Sequence, residues 1–474
     1  MISKRDFYIN GAWVAPAQPN DMQVIDPSTE TACAVISLGG QSDTDAAVAA
    51  ARAAFPAWAA LSLEDRIAPI ERLYTLYKAR KSDMAQAMSQ EMGAPKALSE
   101  SSQWGAGAGH IKETIRAARA YPFEAQSGND TIYHEPIGVA GLITPWNWPM
   151  NQVTLKVIPA LITGCTVVLK PSEIAPLSSI LLAELIHEAG FPPGVFNLVN
   201  GDGAGVGTQL STHADVDMVS FTGSTRAGAL ITKAAADSVK RVTLELGGKG
   251  ANVIFADAPE DAVKRGVRHC FQNTGQSCNA PTRMLVEASY YDEAVTIAKE
   301  TAEKTTVGPA HAEGRHIGPV VSEVHWTKIQ GLIQDGIDEG ARLVIGGTGK
   351  PDGMNAGYFV KPTIFADVHN DMKIAREEIF GPVLAMIPFK DEADALAIAN
   401  DTPYGLTNYV QTTDPAKAKR MARSLRSGMV EVNGTFLGSQ TPFGGYKQSG
   451  NGREGSTWGL EEYLEVKAVA GISE

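Results

Sequence analysis

VAGLITPWNWPMNQVTLKVIPALITGCTVVLKPSEIAPLSSILLAELIHEAGFPPGVFNLVNG, residues 139 to 201, alternates strand-like and helix-like runs. VAGLITP reads as a buried strand, VTLKVIPALITG as a helix, CTVVLKP as a strand, SSILLAELIHEAG as a helix closed by Gly190, and VFNLVNG as another strand. A helix after Gly203 leads to the strand VDMVSFTG, the helix STRAGALITKAAADSVK and the strand RVTLELGG. Strands that alternate with helices are joined by crossovers, so the sheet they build is mostly parallel and the fold class is α/β.

Outward from this stretch the pattern repeats and then changes. After Gly248 a second alternating series begins with ANVIF, a helix around Asp261 to Thr274, RMLVE and the helix YYDEAVTIAKETAEK, and it continues to MVEVNG. Before residue 139, residues 42 to 120 are mostly helical in period, as in SDTDAAVAAARAAFPAW and RIAPIERLYTLYKAR. Two strand-like pieces, TIYHEPI at 131 to 137 and EYLEVKAVA at 462 to 470, belong to neither series. They are free to pair with each other or with a neighbouring subunit.

A chain of 474 residues is too long for one core, and two or three lobes are expected. The net charge of -12 is spread along the chain, which argues against nucleic acid or an anionic membrane surface as partner. The N-terminal MISKRDFYINGAW lacks an apolar core of signal-peptide length, so a cytoplasmic location is expected. Residues 138 to 155 are apolar but carry two prolines, Asn147, Asn151 and Gln152, a poor membrane helix. The four cysteines, Cys33, Cys165, Cys270 and Cys278, show no CxxC spacing, and no histidines stand at ligand intervals beside them. Neither a disulfide framework nor a metal site is suggested, which leaves any important cysteine to act as a thiol.

Cys278, in FQNTGQSCNAPTR (271 to 283), follows a helix-like run and a Gly-Gln-Ser turn. Backbone N–H groups at such a turn lower a thiol's pKa and favour the nucleophilic thiolate. A structural role is the better reading for any lone cysteine, and Cys33, Cys165 and Cys270 keep it. The Gly-rich GDGAGVG, 201 to 207, is by itself a weak dinucleotide signal and reads as a structural turn.

Cys278 is lifted out of the structural reading by its company. FQNTGQSCNAPTR, VTLELGGKGANVIF, PWNWP, VVLKPSE, SFTGST, EEIFGPV and PFGGYKQSGNGRE stand in an order and spacing that resembles the aldehyde dehydrogenase superfamily, across essentially the whole chain. The resemblance implies a Rossmann-type NAD-binding domain (1–117 and 138–247), an α/β catalytic domain (248–448) and a small β oligomerisation element (118–137 and 449–474). It implies Cys278 as nucleophile, Asn147 of PWNWP as oxyanion donor with the Cys278 backbone N–H, Glu245 of LELGG as general base, and Lys156 near the active site. For Lys156 a structural ion pair is an equal reading.

For the cofactor, the resemblance places Lys170 and Glu173 at the adenosine ribose and Ser224 with Trp146 at the pyrophosphate, with Gly223 beside them. Glu378 and Phe380 fall at the nicotinamide ribose and ring. A carboxylate such as Glu173 accepts hydrogen bonds from a ribose 2'-OH and repels a 2'-phosphate, which favours NAD, with NADP possible. Ser224 also reads as a plain helix N-cap. Arg226 stands where many members of the family have glutamate.

The acyl pocket implied by the resemblance is lined by Trp148, Gln152 and Leu155, by Ser277 and Asn279, and by Leu437 and Phe443. No Arg or Lys pair among them clamps a carboxylate, so an apolar aliphatic or aromatic aldehyde is expected. The strand pieces near 131 and 462 are similar to the family's oligomerisation strands, which implies a homodimer or homotetramer. Glu245 argues against a coenzyme A-acylating relative, and intact Cys278, Asn147 and Glu245 argue against a silent scaffold.

Overall fold

The computed structural model describes residues 1–472. The alternating stretch forms five strands: β1 (Val139–Ile143), β2 (Thr166–Lys170), β3 (Phe196–Leu198), β4 (Met218–Thr222) and β5 (Arg241–Glu245). They lie parallel in the order β5-β4-β1-β2-β3. β1, β2, β3 and β4 are buried along their length because each is apolar on both faces, as a sheet covered by helices on both sides requires. Chain order reverses at β1. The crevice at the carboxyl ends of β1 and β4 is therefore the topological switch point, where open α/β sheets bind ligands.

Five helices position the site: α1 (Trp104–Ala120), α2 (Pro149–Thr163), α3 (Leu177–Glu188) and α4 (Thr225–Ala235) in the first lobe, and α5 (Ala262–Phe271), which packs on the second lobe's sheet. α2 starts four residues before the apolar run suggests, with Pro149 at its first turn, where a missing N–H costs nothing. It ends at Gly164, which is left-handed (φ 103°). α5 stops at Phe271, short of the expected Thr274, because Asn273 and Thr274 turn left-handed.

The second series forms β6 (Ala251–Ile254), β7 (Arg283–Glu287), β8 (Thr363–Ala366), β9 (Val383–Phe389), β10 (Thr407–Gln411) and β11 (Met429–Val432). Their order is β8-β9-β7-β6-β10-β11, all parallel, with the antiparallel Arg342–Ile345 beyond β8. TIYHEPI and EYLEVKAVA do pair: Asp130–Pro136 runs antiparallel to Leu464–Ala470, with Glu124–Ser127 on its other side.

The first 40 residues hold five short strands that the hydrophobic pattern does not announce. Two of them, Phe7–Ile9 and Ala12–Val14, extend the first sheet beyond β3, and Gly450–Asn451 extends it beyond β5. Residues 450 to 461 thus pack on the first lobe rather than with the three-stranded sheet. Among the described residues no helix is long and apolar enough to cross a membrane.

Candidate active site

The loop leaving β1 carries Pro145, Trp146, Asn147 and Trp148 across the switch point, and the turn 272–281 from the second lobe meets it there. That turn is held by three successive left-handed residues, Asn273 (φ 51°), Thr274 (φ 58°) and Gly275 (φ 73°). Gly275 is obligatory: a Cβ there would lie 2.1 Å from the Gly381 carbonyl oxygen. Gln276 braces the turn from inside, donating to the Asn273 carbonyl (3.1 Å) and accepting from the Val321 N–H (2.9 Å).

Asn147 is buried and locked at both ends. Its carbonyl accepts from Asn273 Nδ2 (2.9 Å) and Gln103 Nε2 (3.0 Å), and its own Nδ2 donates one N–H to the Gln276 carbonyl (3.0 Å), two residues before Cys278. Trp148 Nε1 donates to Ser277 Oγ (2.8 Å), and the Tyr409 hydroxyl donates to the Asn279 carbonyl. Gly248 lets the second lobe's first strand approach, since a Cβ there would meet the Cys278 carbonyl oxygen at 2.5 Å.

Cys278 is half-buried, and its thiol is not made acidic by the turn. The N–H groups of Cys278 and Asn279 do favour the thiolate, but burial and the nearby carboxylates of Glu378 and Glu245 outweigh them and push the thiol up. The lowered pKa expected from the turn is thus overturned.

Glu245 ends β5. It is 4% exposed, and neither carboxylate oxygen has a hydrogen-bond partner among the described residues. Burial raises its pKa well above the usual carboxylate range, and Glu454 adds to the rise, while Lys156 and Arg453 oppose it. Its neighbourhood includes a cavity of about 10 Å³ lined by Leu155, Ser220, Thr243 and Glu454, room for one water. Gly444 is needed beside it, as a Cβ there would lie 2.7 Å from Glu245 Oε1.

Lys156 is the ion pair that the structural reading anticipates. Fully buried, its ammonium donates to Glu454 Oε1 (2.6 Å) and Ser220 Oγ (2.9 Å). Glu454, quoted within the motif GNGRE but given no role from sequence, is its partner.

The cofactor candidates line the same crevice. Lys170 ends β2, nearly buried, and bonds Glu173 (3.0 Å). Ser224 caps α4, its hydroxyl accepting from the Ala227 N–H (3.3 Å), and Gly223 leaves β4 just before it. Glu378 accepts from the Gly248 N–H (3.0 Å), and Gly247 must lack a side chain because a Cβ would lie 2.2 Å from Glu378 Oε2. Phe380 is held left-handed (φ 60°), a strained state for an aromatic residue. Its ring is edge-on to Trp146 at 5.5 Å.

Sequence reasoning missed the two side chains that pin this segment. His325 Nε2 donates to the Phe380 carbonyl (2.7 Å), and Lys328 donates to the Glu378 carbonyl (2.9 Å). Their spacing of three on one helix was the available signal. These groups fit a dinucleotide: the N-terminus of α4 suits pyrophosphate, and the carboxylates of Glu173 and Glu378 suit ribose hydroxyls as acceptors.

Of the pocket candidates, Trp148, Gln152 and Leu155 share one face of α2 and its entry. Gln152 is 4% exposed, and its Oε1 has no partner among the described residues. Phe443 bonds Glu454 through both backbone groups (2.8 Å each). Leu437 lies on an exposed loop, its N–H on Glu431 (3.4 Å), and among the described residues no hydrogen bond ties it to the cysteine turn.

A parallel sheet that reverses order over a crevice, facing a second α/β lobe that presents a cysteine turn, is the architecture of a group of aldehyde-oxidising enzymes. The chain belongs to the aldehyde dehydrogenase family, whose model matches residues 13–469, and it is an NAD(P)-dependent aldehyde dehydrogenase. It is 52% identical, over 98% of both chains, to a 3-succinoylsemialdehyde-pyridine dehydrogenase of a Pseudomonas species. The crystal structure of an aldehyde dehydrogenase from Bartonella henselae superposes with a TM-score of 0.98 at 58% identity, covering 99% of this chain and 100% of that one. A variant of aldehyde dehydrogenase C from Pseudomonas syringae, solved with NAD+ and octanal, gives a TM-score of 0.98 at 48% identity over 99% and 97% of the two chains.

Proposed function

We propose that this enzyme oxidises an aldehyde to its carboxylic acid with NAD, through a thioester on Cys278 that water hydrolyses with Glu245 as general base. The observation that carries the reading is the placement of Asn147, whose buried amide is locked against the cysteine turn with one N–H left for an oxyanion. Cys278 sulfur bonds to the aldehyde carbon, its proton passing to Glu245 and on to solvent, and the former carbonyl oxygen becomes an oxyanion. Asn147 Nδ2 and the Cys278 backbone N–H stabilise it, one such donor being worth about 3 kcal/mol of barrier. A neutral amide holds the oxyanion without protonating it.

Bound NAD supplies the hydride acceptor. Lys170 and Glu173 hold its adenosine ribose, Ser224 and Trp146 the pyrophosphate, and Glu378 and Phe380 the nicotinamide end. Glu173 as ribose partner favours NAD over NADP. In the second half-reaction Glu245 takes a proton from water, the resulting hydroxide bonds to the thioester carbon, and the Cys278 thiolate leaves. A partnerless buried carboxylate with a raised pKa suits that task, since its basicity is matched to a near-neutral operating pH.

Trp148, Leu155 and Phe443 are the apolar side chains assigned to the acyl pocket, and the substrate is an apolar aliphatic or aromatic aldehyde. The Pseudomonas syringae neighbour's octanal and the 3-succinoylsemialdehyde-pyridine in the Pseudomonas relative's name support this choice. The domain limits 1–117 with 138–247, 248–448, and 118–137 with 449–474 are kept as the proposed units, with residues 450–461 moved to the first lobe on which they pack. The exposed strand Leu464–Ala470 supports a homo-oligomer, a dimer or tetramer; a cytoplasmic location is retained from the N-terminal sequence alone.

NADH formation measured over short aliphatic, long aliphatic, aromatic, betaine-type and semialdehyde substrates, with NAD and with NADP, tests the reading. Turnover on apolar aldehydes with NAD, abolished in Cys278→Ala while NAD still binds, is expected. Undiminished turnover in Cys278→Ala would remove the mechanism.

A further inference from the structure

A cavity of about 840 Å³ opens beside the nucleophile turn. Phe271, Gln272 and Pro281, which bracket Cys278 in the chain, form part of its wall, as does Tyr409, whose hydroxyl bonds the carbonyl next to the nucleophile. Its charge opposes that of the protein. In a chain of net charge -12, the wall carries Arg265, Arg268, Lys304 and Arg315 against the single acid Glu431. Arg265 is neutralised by Asp261. Arg268, Lys304 and Arg315 have no ion-pair partner among the described residues. They come from the end of α5, from the residue after the helix Tyr291–Glu303 and from the loop before Ile317, so the fold gathers what no short stretch of sequence displays.

The remaining acid is outnumbered: Glu431 is buried, and its carboxylate accepts from the Leu437 N–H (3.4 Å). An aromatic strip accompanies the cations: the neutral His269 ring stands edge-on between Tyr409 (5.2 Å) and the exposed Phe436 (5.9 Å). Unpaired cations beside an aromatic strip suit an amphiphilic carboxylate, whose head meets Arg or Lys while its tail covers rings.

We infer that this cavity is a carboxylate-binding vestibule of the active site, with Arg268, Lys304 and Arg315 as its anion-recognising residues. The inference deepens the proposed reaction, in which a neutral aldehyde enters and an anion leaves. The same chemistry has two sources: the carboxylate of the product, or a distal carboxylate on an aldehyde substrate.

Calorimetric titration with octanoate and with octanol requires no turnover, so failure of this inference is distinguishable from failure of the proposed reaction. Octanoate is expected to bind about tenfold more tightly than octanol, and to lose about tenfold in Arg268→Glu and in Arg315→Glu, an effect of the size seen for charge reversal in recognition. Arg268→Lys, which keeps the charge, should retain binding within about threefold. Both positions are exposed, and unchanged Tm in the variants separates a binding loss from a folding loss.

Two kinetic arms then assign the source. A rise in KM for succinic semialdehyde but not butanal in Arg268→Glu supports the vestibule as a reader of distal carboxylates. Weakened inhibition by octanoate against octanal, with both KM values unchanged, supports it as a product site. Equal octanoate affinity in wild type and both charge reversals, or octanol binding as well as octanoate, overturns the inference.

Discussion

Cys278 is distinguished from the other three cysteines by its neighbours more than by its acidity. Burial raises Cys33 and Cys165 to about 11 and Cys270 to about 12, and Cys278 is pushed up as well, with two carboxylates in reach. The thiol therefore depends on a base, and Glu245 is the partnerless carboxylate available. A raised Glu245 pKa has a definite kinetic sign: the ionised base is lost as pH falls through that raised value, so kcat should decline on the acid side above the ordinary carboxylate range. Glu245→Gln should remove most turnover and also slow the first formation of NADH, read by stopped flow, because the same carboxylate serves the thiol and the water. An acid limb at the ordinary carboxylate pKa, or full turnover in Glu245→Gln, would contradict the assignment. At this scale the motifs made Cys278, Asn147 and Glu245 legible. Glu454, His325 and Lys328 were not, because their roles arise from contacts across up to 298 residues of chain.

Helix α3 begins on an acid. Fully buried Glu91 accepts N–H bonds from Leu177 and Ser178 and the Ser178 hydroxyl, capping the helix that follows the Lys170–Glu173 loop. Burial lifts its pKa from 4.5 to about 7 against those favourable bonds. A raised folded-state pKa means the protonated form is the stabilising one. Its contribution is complete below about pH 4.5 and fades as pH rises to about 7, an amount on the order of 3 kcal/mol at one pKa unit per 1.36 kcal/mol. Glu91→Gln should flatten the fall in Tm between pH 5 and pH 8, and an unchanged slope would show that Glu91 titrates elsewhere. Elements were legible wherever apolar runs alternated with helical period, as in β1 to β5. The turn at 273–275 was not, since only one of its three left-handed residues is glycine, and the five N-terminal strands are too short and mixed to carry a period.

Across the whole molecule, two mostly parallel sheets meet over one crevice, and of two smaller three-stranded sheets the antiparallel one joins the first lobe through Arg241, which donates to the Leu464 carbonyl (2.7 Å). That sheet's outer strand, Leu464–Ala470, exposes Val466 at 66% and leaves one edge unpaired, a surface that natural sheets cover. Val466→Asp should shift the sedimentation coefficient toward the monomer at micromolar concentration without altering NAD binding per chain. An unchanged coefficient would place the subunit contact elsewhere. The α/β class of this architecture was legible from alternation alone. The gathering of Arg268, Lys304 and Arg315 on one cavity was not, and it qualifies the reading of a pocket without cationic groups.

The loop leaving β1 places Trp146 and Asn147 on consecutive residues, one ring edge-on to Phe380 and one amide against the cysteine turn. In the proposed mechanism coenzyme grip and acyl chemistry thus share a single peptide bond. Selection, or an engineer, cannot retune one independently of the other through this loop. Variation in coenzyme preference should therefore be expected to accumulate at the far end of the crevice, around Lys170 and Glu173, where a change of partner leaves the oxyanion donor undisturbed.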